Sequence, residues 1–237
     1  MNLNEFIIFG NLHKLVLLSL LIGSILVYFF RSNKMLRYLL AVVLILQIIA
    51  FNGYHILGGT YDIYRYLPLH LCTVSAILCP IALLTKSSIL NNLVLFWGLI
   101  PAMLAILLPD MGQNEGIQSF RFWEFFVSHI FIVLTSIYIS FHTESKFEIT
   151  KFHTWKLIMI AYFTLFFYAV GIVMPINYVL GNGANYLYLV NKASNGMGFL
   201  PDPPQYVPSI FALAFVVFIV EAVFYMIINN FKRGIKN

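Results

Sequence analysis

The sequence predicts an all-α, polytopic membrane protein of about seven transmembrane helices, on three observations. Of 237 residues, 61% are hydrophobic and only 10% charged, where a soluble domain carries about 25% charge. The apolar runs are continuous, not alternating, and long enough to cross about 30 Å of hydrocarbon as helices. The polar stretches between them are too short to bury a core. Residues 1–237 are therefore expected to form a single transmembrane domain.

The expected spans are about 11–30, 37–57, 67–84, 88–108, 122–141, 156–178 and 207–229. The first apolar run ends at Arg31, Lys34 and Arg37, a positive stop. Met1 to Asn11 holds Glu5 and no basic residue, so this run is expected to be an anchor, not a cleaved signal. Span three carries both cysteines, Cys72 and Cys79. Span four ends at Leu107-Leu108-Pro109-Asp110. Span five carries His129. Span seven carries Glu221 and no lysine, which excludes a retinal Schiff base there. No low-complexity segment or clear internal repeat is visible.

The loops predict an orientation. With the N-terminus outside, the inner side holds Arg31, Lys34, Arg37, Lys86, Lys146, Lys151, Lys156, Lys232, Arg233 and Lys236. The outer side holds Lys14, Arg65, Arg121 and Lys192. The positive-inside rule then favours N-out, C-in. The formal charge of +5 is thereby read as topology signal beside apolar segments, and no nucleic-acid partner is expected. The longest outer connection, Tyr178 to Tyr206, contains Gly181-Asn182-Gly183 and Pro201-Asp202-Pro203-Pro204, which forbid a regular helix throughout. It reads either as a lid or binding element or as a connector.

Cys72 and Cys79 lie seven apart, about 10 Å along a helix. A disulfide between them is excluded without unwinding, so both are expected to be free thiols. Cys72 and His129 are the candidate catalytic pair. Spans three and five run in the same direction. Cys72 falls about 8 Å, and His129 about 10 Å, below the start of its span. A neighbouring imidazole can take a thiol proton, and the thiolate can attack an ester carbonyl. A site in the outer half of the bilayer suits an acyl lipid.

Plainer readings stand beside these. Cys72, Ser75, Ala76 and Cys79 form a small-residue face that lets helices approach, and Cys72 can belong to packing alone. His129 can serve function or an interhelical hydrogen bond, since ionisable groups in a membrane are costly. Asn52 and His55 share a face near the outer end of span two. His70, Asp110, Arg121, Glu124 and Asn185 lie at outer ends. Glu124 is roughly 140° around the helix from His129 and is a poor partner, so Asp110 is the candidate to orient the imidazole. Otherwise Asp110 is a helix-end residue facing water. A metal site from His55, His70, Cys72 and His129 is disfavoured, because His70 and Cys72 point to different faces of a regular helix. Glu221 can snorkel, pair or relay protons.

At these residues the chain resembles the YwaF-like bacterial integral membrane proteins, which are similar to the eukaryotic transmembrane protein 164 acyltransferases. The resemblance covers nearly the whole chain. Leu67-Pro68-Leu69-His70-Leu71-Cys72 is its most specific motif. Phe96-Trp97-Gly98, Pro109-Asp110, His129 and Asn185-Tyr186 with Leu189 follow. The resemblance implies a lipid acyltransferase or transacylase that works without coenzyme A, with Cys72 as nucleophile and His129 as base. Lys192-Ala193 departs from the family's Lys-Pro pair, and the loop from Asn195 to Pro204 is this chain's own.

The expected protein thus acts on membrane phospholipids in a bacterial cell membrane. Its catalytic residues are Cys72, His129 and Asp110, and its substrate-binding residues are His70, Asn185, Tyr186, Asn52 and His55. No metal or coenzyme is required. The alternatives are a transporter or a lipid- or small-solute-binding protein, in which Cys72 only packs, and a membrane subunit that needs a partner.

Overall fold

The computed structural model describes residues 3–142, 151–181, 183–192, 200–202 and 205–234. Lys146, Lys236 and, in the long connection, Asn182, Ala193, Asn195, Pro203 and Pro204 lie outside the described residues. Every regular element among the described residues is helical. The helices are α1 (Asn11–Phe29), α2 (Lys34–Leu57), α3 (Leu71–Thr85), α4 (Ser88–Leu107), α5 (Phe120–Phe141), α6 (Lys151–Tyr168), α7 (Met174–Leu180) and α8 (Tyr206–Gly234). A π-helical turn, Ala169–Val173, joins α6 to α7. Six of these segments are long and apolar enough to cross a membrane, with α6 and α7 counted as one. The seventh, α3, has 15 residues. The protein is an integral membrane protein.

Local sequence sets the ends. Asn33, Ser87 and Ser119 each turn a side-chain oxygen onto an amide of the first turn of α2, α4 and α5, replacing donors a helix start leaves orphaned. Span three departs from expectation. Pro68 disfavours helical dihedrals at Leu67, and Leu69 N–H closes a tight turn on the Leu67 carbonyl. The helix therefore begins at Leu71, not Leu67. Inside the helices, Pro80, Pro101 and Pro175 each lack an N–H, which takes the helical donor from the carbonyls of Ala76, Trp97 and Gly171. The π turn sits just before Pro175, where its wider winding accommodates the ring.

The chain forms two compact units. The first is Met1–Tyr61 with Leu71–Glu144, the second Asp62–His70 with Ser145–Asn237. In the first unit, α5 is the hub, packed against α1, α2, α3 and α4. Directions follow from contacts. α1 runs parallel to α5: His13 meets Phe126, Gly23 faces Leu134, and Tyr28 meets Phe141. α2 runs against α5, since Tyr54 near its end stacks on Phe120. α4 ends beside the start of α1, where His13 Nε2–H donates to the Ile106 carbonyl at 2.7 Å. α3 turns into α4 through Lys86 and Ser87 alone and so runs with α5.

The N-terminal strand-like segment closes one end of this unit. Phe6 N–H bonds the Gln113 carbonyl, and Ile117 N–H bonds that of Leu3. Gly116 is required there, since a Cβ would lie 2.4 Å from the Leu3 carbonyl oxygen.

In the second unit, rings of Tyr162 and Phe166 meet Phe215 and Phe211 across α6 and α8. Glu221 is fully buried on α8. Asn177 pairs with the backbone of Tyr186 in both directions, at 3.0 and 2.9 Å. That pairing mimics a strand ladder and anchors the short helical turn Tyr186–Tyr188.

Candidate functional site

His129 lies ten residues into α5 and is 9% exposed. Its Nδ1 is 2.6 Å from the carbonyl oxygen of Phe125, one turn earlier. A carbonyl only accepts, so Nδ1 carries the proton. In the neutral ring Nε2 is then the lone pair. Asp110 or a loop group was expected to orient the imidazole; the structure gives the Nδ1 proton to the Phe125 carbonyl. Asp110 is exposed beyond the end of α4.

Along the same stripe of α5, the Arg121 guanidinium lies 5.1 Å over the Phe125 ring, and that ring lies 4.2 Å from His129. Arg121 pairs with Glu124 at 2.7 Å, which accounts for Glu124 without recourse to His129. His55 Nδ1 meets Thr60 Oγ1 at 3.0 Å, and Asn52 Nδ2 donates to its own helix at Ile48. Asn52, His55, Arg121 and Glu124 thus occupy one end of the first unit, and His129 lies deeper, about 13.5 Å along α5.

Cys72 is the second residue of α3 and half-buried. Because α3 starts at Leu71, depth counted from Leu67 does not locate Cys72, and the level must come from contacts. α3, α4 and α5 converge at Gly98. A Cβ there would lie 3.7 Å from Ser75 Cβ, 3.5 Å from Ser136 Oγ and 3.0 Å from Ile132. Counted back from that junction, Cys72 is about 4.5 Å along α3 from Ser75, and His129 is about 4.5 to 10.5 Å along α5 from Ile132 and Ser136, in the same direction. The two levels therefore differ by at most about 6 Å. α3 and α5 pack directly against each other. His129 also shares its face with Ile132 and Ser136, and Cys72 shares its face with Ser75 and Cys79.

Ser75 is the residue sequence reasoning undervalued. Its hydroxyl, fully buried, donates to the Trp97 carbonyl at 3.0 Å. That carbonyl is the one Pro101 leaves without a helical donor. Phe96-Trp97-Gly98 is thus a junction: Trp97 offers an acceptor and Gly98 lets α3 and α5 approach it. The signal was Pro101, which obliges some neighbour to donate.

His70, Asn185 and Tyr186 belong to the second unit. The His70 ring lies 5.3 Å from those of Tyr186 and Tyr188. The Tyr186 hydroxyl donates to the Ile63 carbonyl at 2.6 Å and accepts from Leu67 N–H at 3.0 Å. Tyr168 donates to the Leu69 carbonyl at 3.0 Å. Asn185 Oδ1 accepts from Val190 and Asn191 N–H, while its Nδ2 donates to the Asn191 carbonyl. Tyr186 holds segment 62–70, including Leu67-Pro68-Leu69-His70, in shape, and Asn185 ties its own loop at Val190 and Asn191. Asn177 and Tyr168 share that work and were not anticipated. Among the described residues, no three His, Cys, Asp or Glu side chains converge as a metal-binding set.

Fold and site together define a polytopic helical membrane protein with a thiol on α3 and an imidazole on α5, helices that pack against each other. The TMEM164 family model matches residues 8–227, and the chain belongs to that family. No curated protein and no solved structure matches it.

Proposed function

We propose that the protein is a membrane-embedded lipid acyltransferase, of the YwaF-like bacterial branch of its family, acting on phospholipids without coenzyme A. His129 Nε2 takes the Cys72 proton, and the sulfur attacks a lipid ester carbonyl. The lysolipid alkoxide leaves with a proton from the imidazolium. The acyl thioester then passes its acyl group to an alcohol or to water. The observation that supports this reading is the Nδ1–H···O=C bond of His129, which leaves Nε2 with the lone pair a base needs. The Phe125 carbonyl, fixed in its helix, does the orienting work that an aspartate does in soluble triads. Asn52 and His55 on α2 are the candidates to meet the headgroup at that end. With N-out topology, the site faces the outer half of a bacterial cell membrane.

The test is intact mass after incubation with phospholipid vesicles. An adduct of acyl mass is expected, released by hydroxylamine and absent in Cys72→Ala. His129→Ala should slow its formation about 10²- to 10⁴-fold, the usual contribution of a positioned base. No adduct from any phospholipid would overturn the proposal. A second reading, a lipid- or solute-binding or transport protein, draws on the π turn before Pro175, since interrupted helices are common where transporters bind cargo. It predicts ligand retention unaffected by Cys72→Ala.

A further inference from the structure

At the end of the first unit opposite His129, where α2 and α4 begin and α5 ends, a cation is buried. Arg37 is 7% exposed. It lies with Leu40, Ala41 and Leu44 on the buried stripe of α2, the spacing of a face turned to the neighbours of that helix, α3 and α5. One guanidinium N–H, from Nη2, reaches the Tyr38 hydroxyl at 3.1 Å, and the group lies 4.9 Å over the Tyr38 ring. Nε is buried without any hydrogen-bond partner. The described carboxylates of this unit, Glu5, Asp110, Glu115 and Glu124, all belong to segments at its other end. A buried guanidinium with no anion is costly by several kcal/mol.

Two further features favour an anion at this place. The N-termini of α2 and α4, helices of 24 and 20 residues, lie at the same end, and each presents the positive pole of its dipole. Arg37 is four residues into α2, within about 6 Å of the helix start. That is the depth of a membrane interface, where phosphate groups lie. Tyr38 is 46% exposed, so its hydroxyl, which accepts from Arg37, can donate in turn to a group arriving from the membrane side.

We infer that Arg37, with Tyr38, forms a phosphate-binding site at this end of the first unit, distinct from the Cys72–His129 site. The guanidinium fork matches a phosphate or phosphodiester oxygen pair. The source is either a phospholipid headgroup or a free phosphate anion.

The experiment uses the full chain purified in a phosphate-free maltoside detergent. Phosphatidylglycerol, a phosphate-free glucosyl diacylglycerol and inorganic phosphate are titrated separately, with thermal unfolding and native mass as readouts. Wild type should be stabilised by phosphatidylglycerol, by inorganic phosphate, or by both, and not by the glucolipid. Stabilisation by the lipid alone identifies a headgroup, and stabilisation by phosphate alone identifies a free anion. Arg37→Gln should weaken that binding roughly ten- to hundredfold, the value of a charge-assisted pair. Arg37→Met removes the buried charge. In the absence of phosphate it should unfold at the wild-type temperature or above, and it should gain nothing from phosphate lipid. Equal responses of wild type and Arg37→Met, or no response of wild type to either phosphate source, would overturn the inference. The readout does not involve acyl transfer, so this site and the proposed reaction stand or fall separately.

Discussion

Ser75→Ala deletes one hydroxyl from a fully buried position and takes its donor from the Trp97 carbonyl. Pro101 has already removed the helical donor, so the loss leaves an acceptor that its own helix cannot satisfy. An unmade buried bond costs about 1–3 kcal/mol in soluble proteins, and interhelical bonds in membranes average about 0.6 and reach about 1.7 kcal/mol. A loss of about 1–2 kcal/mol is therefore expected for Ser75→Ala. The decisive measurement is a double-mutant cycle with Pro101→Ala, read by reversible denaturation in mixed micelles. The Pro101→Ala change restores a backbone N–H that can return to Trp97, so Ser75→Ala should cost about 0.5 kcal/mol or less in that background. An equal cost in both backgrounds would refute the idea that Ser75 answers the proline.

Gly98→Ala should destabilise by about 1–3 kcal/mol, because its Cβ would press on Ile132 at 3.0 Å at the convergence of α3, α4 and α5. If the proposed chemistry holds, acyl-adduct formation should fall with it, and Gly98→Ala together with Ile132→Val should recover part of both. Tyr186→Phe removes the bridge from Ile63 to Leu67 while keeping the ring. Amide exchange at Leu67 should rise about five- to thirtyfold, the equivalent of about 1–2 kcal/mol of local opening; unchanged protection would show that Tyr168 and Asn177 suffice.

Long apolar runs were legible as helices because a backbone in hydrocarbon must satisfy itself within the segment, so composition alone decides. The start of α3 was misplaced because Leu67 and Leu69 are as apolar as the helix that follows. Only the turn closed by Leu69 N–H on Leu67, with Pro68 between, separates them. Asp110 was paired with His129 by counting residues from outer ends, a count that gives depth but not azimuth. The real Nδ1 acceptor, the Phe125 carbonyl, is a backbone atom and carries no residue-type signal at all. Asn185 and Tyr186 stood out as polar residues in a loop. Their bonds run to Ile63, Leu67, Val190 and Asn191, which no local pattern announces.

From the amino-acid order alone, the protein is an all-helical membrane protein with free thiols and an imidazole inside its spans. Those properties depend on local composition and on the periodicity of one helix at a time. The tertiary structure decided which helices touch, and therefore which polar atoms meet: Ser75 with the Trp97 carbonyl, Asn177 with Tyr186, Arg37 with no described carboxylate. Each hydrogen bond or missing counterion is a relation between faces of different segments, and a face acquires a neighbour only when the helices pack.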